Sequence, residues 1–442
     1  MTESDPIGTS PLAGTAPLAG TAPLAGVRVA DFSRVLAGPY TTMMLADFGA
    51  DVIKIESPAG DDTRAWVPPV DQRGESTYFA SVNRNKRSLV CDLTTDAGLA
   101  RARRLAASAD VVIENFRPGV MAGFGLDYET VRAGNPRVVY CSITGFGSAG
   151  GATLPGYDLL VQAVGGLMSL TGEPDGEPSK VGVALVDVVT GLNALSGILL
   201  ALRTRETSGT GTLVAVDLMT SLLSALVNQA SSTLATGIAP PRLGNAHPSI
   251  APYELFRAAD RALVIAVGNN RQFRALAAVL AETPAAGGSD GVLADDPRFA
   301  TNALRVAHRQ ELRGLIEECL AAAPAVNWVE LLTAAGVPAG LVNGVDEAFR
   351  FAETLGLRPI AELPVAELPD TVLSDTVLSG TVLSGTVLPA DTARPADTAR
   401  PANTSGRIGR VVANPIHLRG ADASYRTLSP RLGEHADADW LA

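Results

Sequence analysis

Along the first half of the chain, short apolar bursts alternate with stretches of helical period. Val27-Arg-Val-Ala-Asp-Phe32, Ala50-Asp-Val-Ile-Lys-Ile-Glu56, Asp110-Val-Val-Ile-Glu114 and Arg137-Val-Val-Tyr-Cys-Ser-Ile143 are brief and rich in β-branched residues, as buried strands are. Between them, Pro39 opens a helix through Leu45 to Phe48, and Asp96 is placed to cap another running to about Ser108. A strand at Leu213–Val216 and a helix from Leu218 extend the series. Strands alternating with helices predict an α/β fold with a parallel, doubly wound, Rossmann-like sheet. After Gly244 the texture changes. Strands at Pro252–Phe256 and Ala262–Val267, then helices near 271–281, 308–323 and 326–335, predict a smaller α+β unit, followed by a return segment from Arg410 to His417.

One segment stands apart. Val181 to Leu202 is long enough to span a bilayer and carries a single charge, Asp187. Its polar Thr190 and Asn193 and its three glycines favour a soluble reading, with a strand Val183–Val186 feeding a buried helix. A charge at mid-bilayer is costly. Asp187 then falls at the strand-to-helix junction, where Asp is a favoured cap. A carboxylate held there is also placed to act as a covalent nucleophile toward an activated acyl group. Position alone leaves both roles open.

Two tracts are repetitive. Residues 11–26 iterate PLAGTA, and residues 371–403 run through TVLSG-like and then ADTARP-like units. Neither period is that of a solenoid, and the composition predicts solvated segments. The net charge of -11 provides no footprint for nucleic acid or an anionic membrane. Three cysteines without CxxC spacing and four scattered histidines predict no metal centre and no disulfide framework. The N-terminal residues lack a signal-peptide pattern, so a cytoplasmic location is the expectation. No P-loop occurs and no GxGxxG follows the first strand, which argues against a nicotinamide cofactor. Gly145–Gly150 fits that spacing but opens no helix, and the GxSxG match at Gly287–Gly291 follows no strand.

The remaining motifs gain meaning as an ordered set: residues 26–64, Asn83–Ser88 (NRNKRS), Glu114–Gly119 (ENFRPG), Gly145–Gly147, the Asp187 segment, Gly268–Phe273 (GNNRQF), Ala335–Ala339 and Leu432–His435. In this order they resemble the family III CoA transferases, the group of formyl-CoA and carnitine CoA transferases. The resemblance implies an enzyme that moves CoA from an acyl-CoA to a carboxylic acid through anhydride and thioester intermediates on Asp187. It needs no resident cofactor. It further implies that Asn115, Phe116, Arg117 and Gly119 hold CoA, that Arg64, Lys86 and Arg87 offer cations to its phosphates, and that Val35, Leu36 and Ala37 wall the pocket.

By the same resemblance, residues 24–218 and 407–442 form a large domain and 243–345 a small one. Residues 219–242 and 346–406 are then linkers, and 1–23 an N-terminal low-complexity segment. Two subunits would interlock as a homodimer. Three departures stand out: Leu36 replaces a polar glutamine, Gly123 replaces an arginine, and Asn245–Pro248 lacks a glycine run. Leu36, Tyr40, Met44 and Met168 suggest an apolar or medium-sized acyl group. The nearest rival is a 2-methylacyl-CoA racemase, whose histidine base is replaced here by Tyr157, a poor base with an ordinary pKa near 10. A non-catalytic acyl-CoA-binding protein is the alternative from another class.

Overall fold

The structure, a computed structural model, describes residues 22–282, 293–364 and 408–441. Six strands form one parallel sheet: β1 (Arg28–Asp31), β2 (Asp51–Glu56), β3 (Arg87–Val90), β4 (Val111–Glu114), β5 (Val139–Thr144) and β6 (Leu213–Asp217), in the order β3-β2-β1-β4-β5-β6. The order reverses between β1 and β4. In open α/β sheets that reversal leaves a crevice at the carboxyl ends of the strands, where ligands bind.

Both faces of the sheet are covered, which is why its strands are largely apolar, with the buried charges Asp31, Lys54, Glu56 and Glu114 concentrated toward their carboxyl ends. Helices Ala37–Asp47 and Leu185–Ser208 cover one face with a core that includes Val29, Leu45, Val139 and Ile198. Helix Asp96–Ser108 covers the other, over Ile53, Val112 and Tyr140. The long apolar segment is therefore a helix lying on the sheet. Its length and composition would suffice to cross a membrane, but Thr190, Gly191, Ala194, Ile198 and Ala201 form a buried stripe. Gly191 allows a close approach to helix Ala37–Asp47. A Cβ there would stand 2.7 Å from Ala37 O, and Thr41 Oγ1 donates to Gly191 O at 2.8 Å.

The local expectations need correction at several points. Val183–Val186 is not a strand: the helix begins at Leu185, so Leu185 and Val186 already occupy its first turn. The cap position falls on Ala184, and Asp187 is the third helical residue. Thr95, not Asp96, caps the helix after β3, with Thr95 Oγ1 accepting the Gly98 N–H at 3.2 Å. Residues 219–242, expected as a linker, are occupied by helices Leu218–Ala225 and Val227–Thr236, which leaves the expected boundaries untouched. The expected linker 346–406 includes most of a helix, Val345–Thr354, and a strand, Ile360–Pro364, which pairs antiparallel with Ile408–Val412. The 371–403 repeats, most of the PLAGTA tract and the GxSxG match lie outside the described residues.

Strands Tyr253–Arg257, Ala262–Ala266 and Ala339–Leu341 make a separate antiparallel sheet. Together with helices Asn270–Ala281, Arg309–Leu320 and Ala325–Ala334 it encloses its own core around Phe256, Phe273, Phe299 and Trp328. The C-terminal segment returns to the large sheet. Gly433 N–H donates to Ser88 Oγ at 2.9 Å, and Asn414 Nδ2 to the buried Asp47 Oδ2 at 3.0 Å.

Candidate active site

The crevice at the carboxyl ends of β1, β4 and β5 opens into a cleft. Its walls include Arg34–Ala37 after β1, Asn115–Pro118 after β4, Thr144–Gly147 after β5, Gly156–Asp158 and Asp187. Of the residues expected from sequence, the fold thus brings together Val35, Leu36, Ala37, Asn115, Phe116, Arg117 and Asp187.

Asp187 reaches the cleft because the long helix starts there. Its free N-terminal N–H groups are satisfied not by a local cap but by Asp158, whose Oδ1 accepts from Val186 N–H at 2.8 Å and from Asp187 N–H at 3.3 Å. Asp158 Oδ2 in turn accepts from Gln162 Nε2 at 2.6 Å. Burial and the neighbouring Asp158 charge push the Asp187 carboxyl up to about 7. Tyr78 shares the same field: burial, Asp187, Asp158 and Asp61 push its phenol up to about 12. Across the cleft, Arg34 lies over the Phe116 ring at 4.9 Å and pairs with Asp62 at 3.4 Å. The three cleft carboxylates therefore differ. Asp62 has an arginine and Asp158 caps a helix, while the Asp187 carboxylate has neither a hydrogen bond nor an ion pair among the described residues.

Three expected phosphate contacts lie elsewhere. Lys86 is fully buried, donating to Asp31 Oδ2 at 3.1 Å, Pro39 O at 2.9 Å and Asn83 Oδ1 at 2.8 Å. Burial pushes its ammonium down to about 8 against the pull of Asp31. Arg64 grips Glu56 with two bonds, at 2.8 and 2.7 Å, and stacks on Phe79. Arg87 pairs with Asp51 at 2.7 Å and donates to Asp439 O. These cations brace the sheet and its C-terminal strap, and each is paired with a carboxylate outside the cleft. A basic turn in sequence does not reveal which buried carboxylates will claim it.

Asn115 lines the cleft with both ends of its amide engaged on Arg34, accepting from its N–H at 2.8 Å and donating to its C=O at 2.7 Å. Gly119 has φ +90 and begins the short helix Val120–Gly123, a left-handed position that favours glycine; it borders a second cleft that shares Arg117. Tyr40, Met44 and Met168 do not line the cleft, and Met44 belongs to the core. Sequence reading missed Arg34, Asp62, Tyr78 and the capping role of Asp158. The only local signal for the last was its place at the first turn of helix Asp158–Val164.

The sequence profile of CoA-transferase family III matches residues 24–396. The chain belongs to that family. It is 47% identical over 335 residues to the succinate–glutarate CoA-transferase of Agrobacterium fabrum, covering 73% of this chain and 80% of that protein. The acetyl-CoA:oxalate CoA-transferase of Acetobacter aceti is 41% identical over 329 residues, covering 74% and 82%. Among solved structures, a CaiB/BaiF family protein from Brucella suis superimposes with a TM-score of 0.75 at 39% identity, over 94% of this chain and 97% of that one. This family III CoA transferase thus takes CoA thioesters and carboxylic acids as its substrates. Tyr157 lines the cleft and is well exposed.

Proposed function

We propose that Asp187 carries the acyl group and then CoA during transfer between two short dicarboxylic acids. The observation that carries this reading is that Asp187 is the cleft carboxylate left without a partner. Its carboxylate attacks the donor thioester carbon; the C–S bond breaks, giving an aspartyl–acyl anhydride and CoA thiolate. The thiolate attacks the aspartyl carbonyl and releases the donor acid, leaving an aspartyl-CoA thioester. The acceptor carboxylate attacks that thioester, and the released thiolate then attacks the acceptor side of the new anhydride. Acceptor-CoA leaves and the Asp187 carboxylate is regenerated. A raised pKa makes this carboxylate a more basic nucleophile than an ordinary aspartate, at the cost of a smaller ionised fraction.

Relatives named for succinate, glutarate, oxalate and mesaconate support dicarboxylic substrates, with succinyl-CoA as the first donor to try. Arg34 and Arg117 are the cations of the cleft, available to phosphate or to a distal carboxylate. Apolar residues left exposed on single helices, Leu200 at 69% and Leu234 at 89%, support burial in a homodimer, interlocked as the family resemblance implies. The same reading makes the two cores a large and a small domain. Sedimentation of the purified protein as a dimer is the expected result; a monomer removes that part of the reading.

The decisive experiment incubates the enzyme with succinyl-CoA and hydroxylamine and maps the hydroxamate by mass spectrometry, beside an exchange assay over a carboxylate panel. A hydroxamate at Asp187 and loss of exchange in Asp187→Ala are expected. Retained exchange in Asp187→Ala sinks the mechanism, and proton exchange at an α-carbon without CoA transfer would favour the racemase.

A further inference from the structure

The corner joining β1 to helix Ala37–Asp47 is held by Lys54 of β2 and by Asp61 and Asn115 from the loops after β2 and β4. Val35 has φ +68, the left-handed region, where a β-branched residue is strained by about 1–3 kcal/mol. Glycine or asparagine would sit there without that cost, so something must impose the conformation. Val35 N–H donates to both oxygens of Asp61, at 3.3 and 3.2 Å. Asp61 is buried and paired with Lys54 Nζ at 2.9 Å, and Lys54 Nζ also donates to Ser33 O at 2.8 Å. Asn115 clamps Arg34 between them by its N–H and C=O. Burial pushes the Asp61 carboxyl up, but Lys54 and Thr63 outweigh it and hold it low, so the clamp is ionised at neutral pH.

Beyond the corner, Ala37 packs on Gly191, four residues after Asp187 in the same helix. The left-handed Val35 therefore sets where the Val35–Ala37 wall stands relative to Asp187. A thioester lying along that wall meets Asp187 only if the corner keeps this shape. We propose that Asp61, locked by Lys54, is a positioning residue of the transfer reaction: it holds Val35 left-handed and so aligns the pocket wall with the nucleophile. This inference rests on the assignment of Asp187 as nucleophile. Its bland competitor is that Asp61 only caps the short turn after it, since it also accepts the Thr63 N–H at 3.0 Å.

The test compares Asp61→Asn, Val35→Pro and the double variant Asp61→Asn/Val35→Gly, with kcat, KM for acyl-CoA, and amide hydrogen exchange over residues 33–37. Asp61→Asn keeps an oxygen acceptor but loses the charge by which Lys54 locks it, so the clamp loosens and kcat is expected to fall by about 10–100-fold with KM within about threefold, because small misplacements cost that much. Exchange at residues 33–37 rises. Glycine at 35 needs no clamp, so the double variant recovers about tenfold or more of the kcat lost in Asp61→Asn. A residue that merely caps a turn gains nothing from glycine at 35, so an unrescued double variant overturns the proposal. Val35→Pro forces φ near −65° while leaving Lys54 and Asp61 paired, so it tests the corner even where Asp61→Asn folds poorly; undiminished kcat in it also overturns the proposal. A wild-type enzyme without CoA exchange would instead remove the Asp187 assignment. The exchange of residues 33–37 still decides whether Asp61 holds the corner, and unchanged protection in Asp61→Asn overturns it.

Discussion

Asp158 meets Asp187 through the backbone: its Oδ1 accepts the Asp187 N–H at 3.3 Å while holding the Val186 N–H at 2.8 Å. The same carboxylate that starts the nucleophile's helix thus sets a negative charge beside the nucleophile. After burial, that charge is the cause of the upward shift of Asp187. A helix start usually favours an anion; here Asp158 has taken that place first.

The activity of the free enzyme follows from this. Asp187 attacks as a carboxylate, so kcat/KM rises with pH and levels off above about 7. Asp158→Asn keeps an acceptor for the two N–H groups but removes the charge. The midpoint of the acid limb should move to lower pH in that variant. An unmoved midpoint in a folded Asp158→Asn enzyme contradicts the coupling.

Stability carries the opposite sign. The folded state raises Asp187 from 3.8 to about 7, so it favours the protonated form and loses stability as pH climbs through that interval. Asp187→Asn should therefore melt about 1–3 °C higher than the parent at pH 8, with the gap closing near pH 4. Calorimetry at the two pH values checks it.

Two arginines separate binding from architecture. Arg117 lines the cleft without a side-chain partner among the described residues, so Arg117→Ala should raise KM for acyl-CoA by about tenfold with kcat little changed. Arg87 ties Asp51 to the C-terminal strap, so Arg87→Ala should leave KM alone and lower the melting temperature by about 2–4 °C. Steady-state kinetics beside thermal melts distinguish them; a large KM rise in Arg87→Ala would restore it as a CoA contact.

Gly191 and Ala37 bring the two helices of the cleft into close contact. A side chain at 191 meets a backbone oxygen at 2.7 Å and Tyr40 Cδ1 at 3.3 Å, and the oxygen cannot rotate away. Gly191→Val should cost about 1–3 kcal/mol of stability and reduce kcat, because Asp187 moves with its helix. Denaturant titration with parallel kinetics measures both; native stability and kcat in this variant would show that the helices separate freely.

Local pattern alone specified the alternating strands and helices, since β-branched bursts and capped helical periods are properties of neighbouring residues. It also singled out Asp187 as the one charge in an apolar run, and the ordered motifs placed it in its family. What sequence could not assign is which charges remain free. Lys86 and Arg87 look like ligands in a basic turn, as does Arg64 upstream of it, yet Asp31, Asp51 and Glu56, 55, 36 and 8 residues away, pair with them. Likewise Asp187 is free only because Asp158, 29 residues earlier, satisfies its helix start. Burial makes such pairings nearly obligatory, because an unpaired charge away from water is expensive. The order of strands in the sheet, which no local window contains, decides the partners and therefore which carboxylate is left to react.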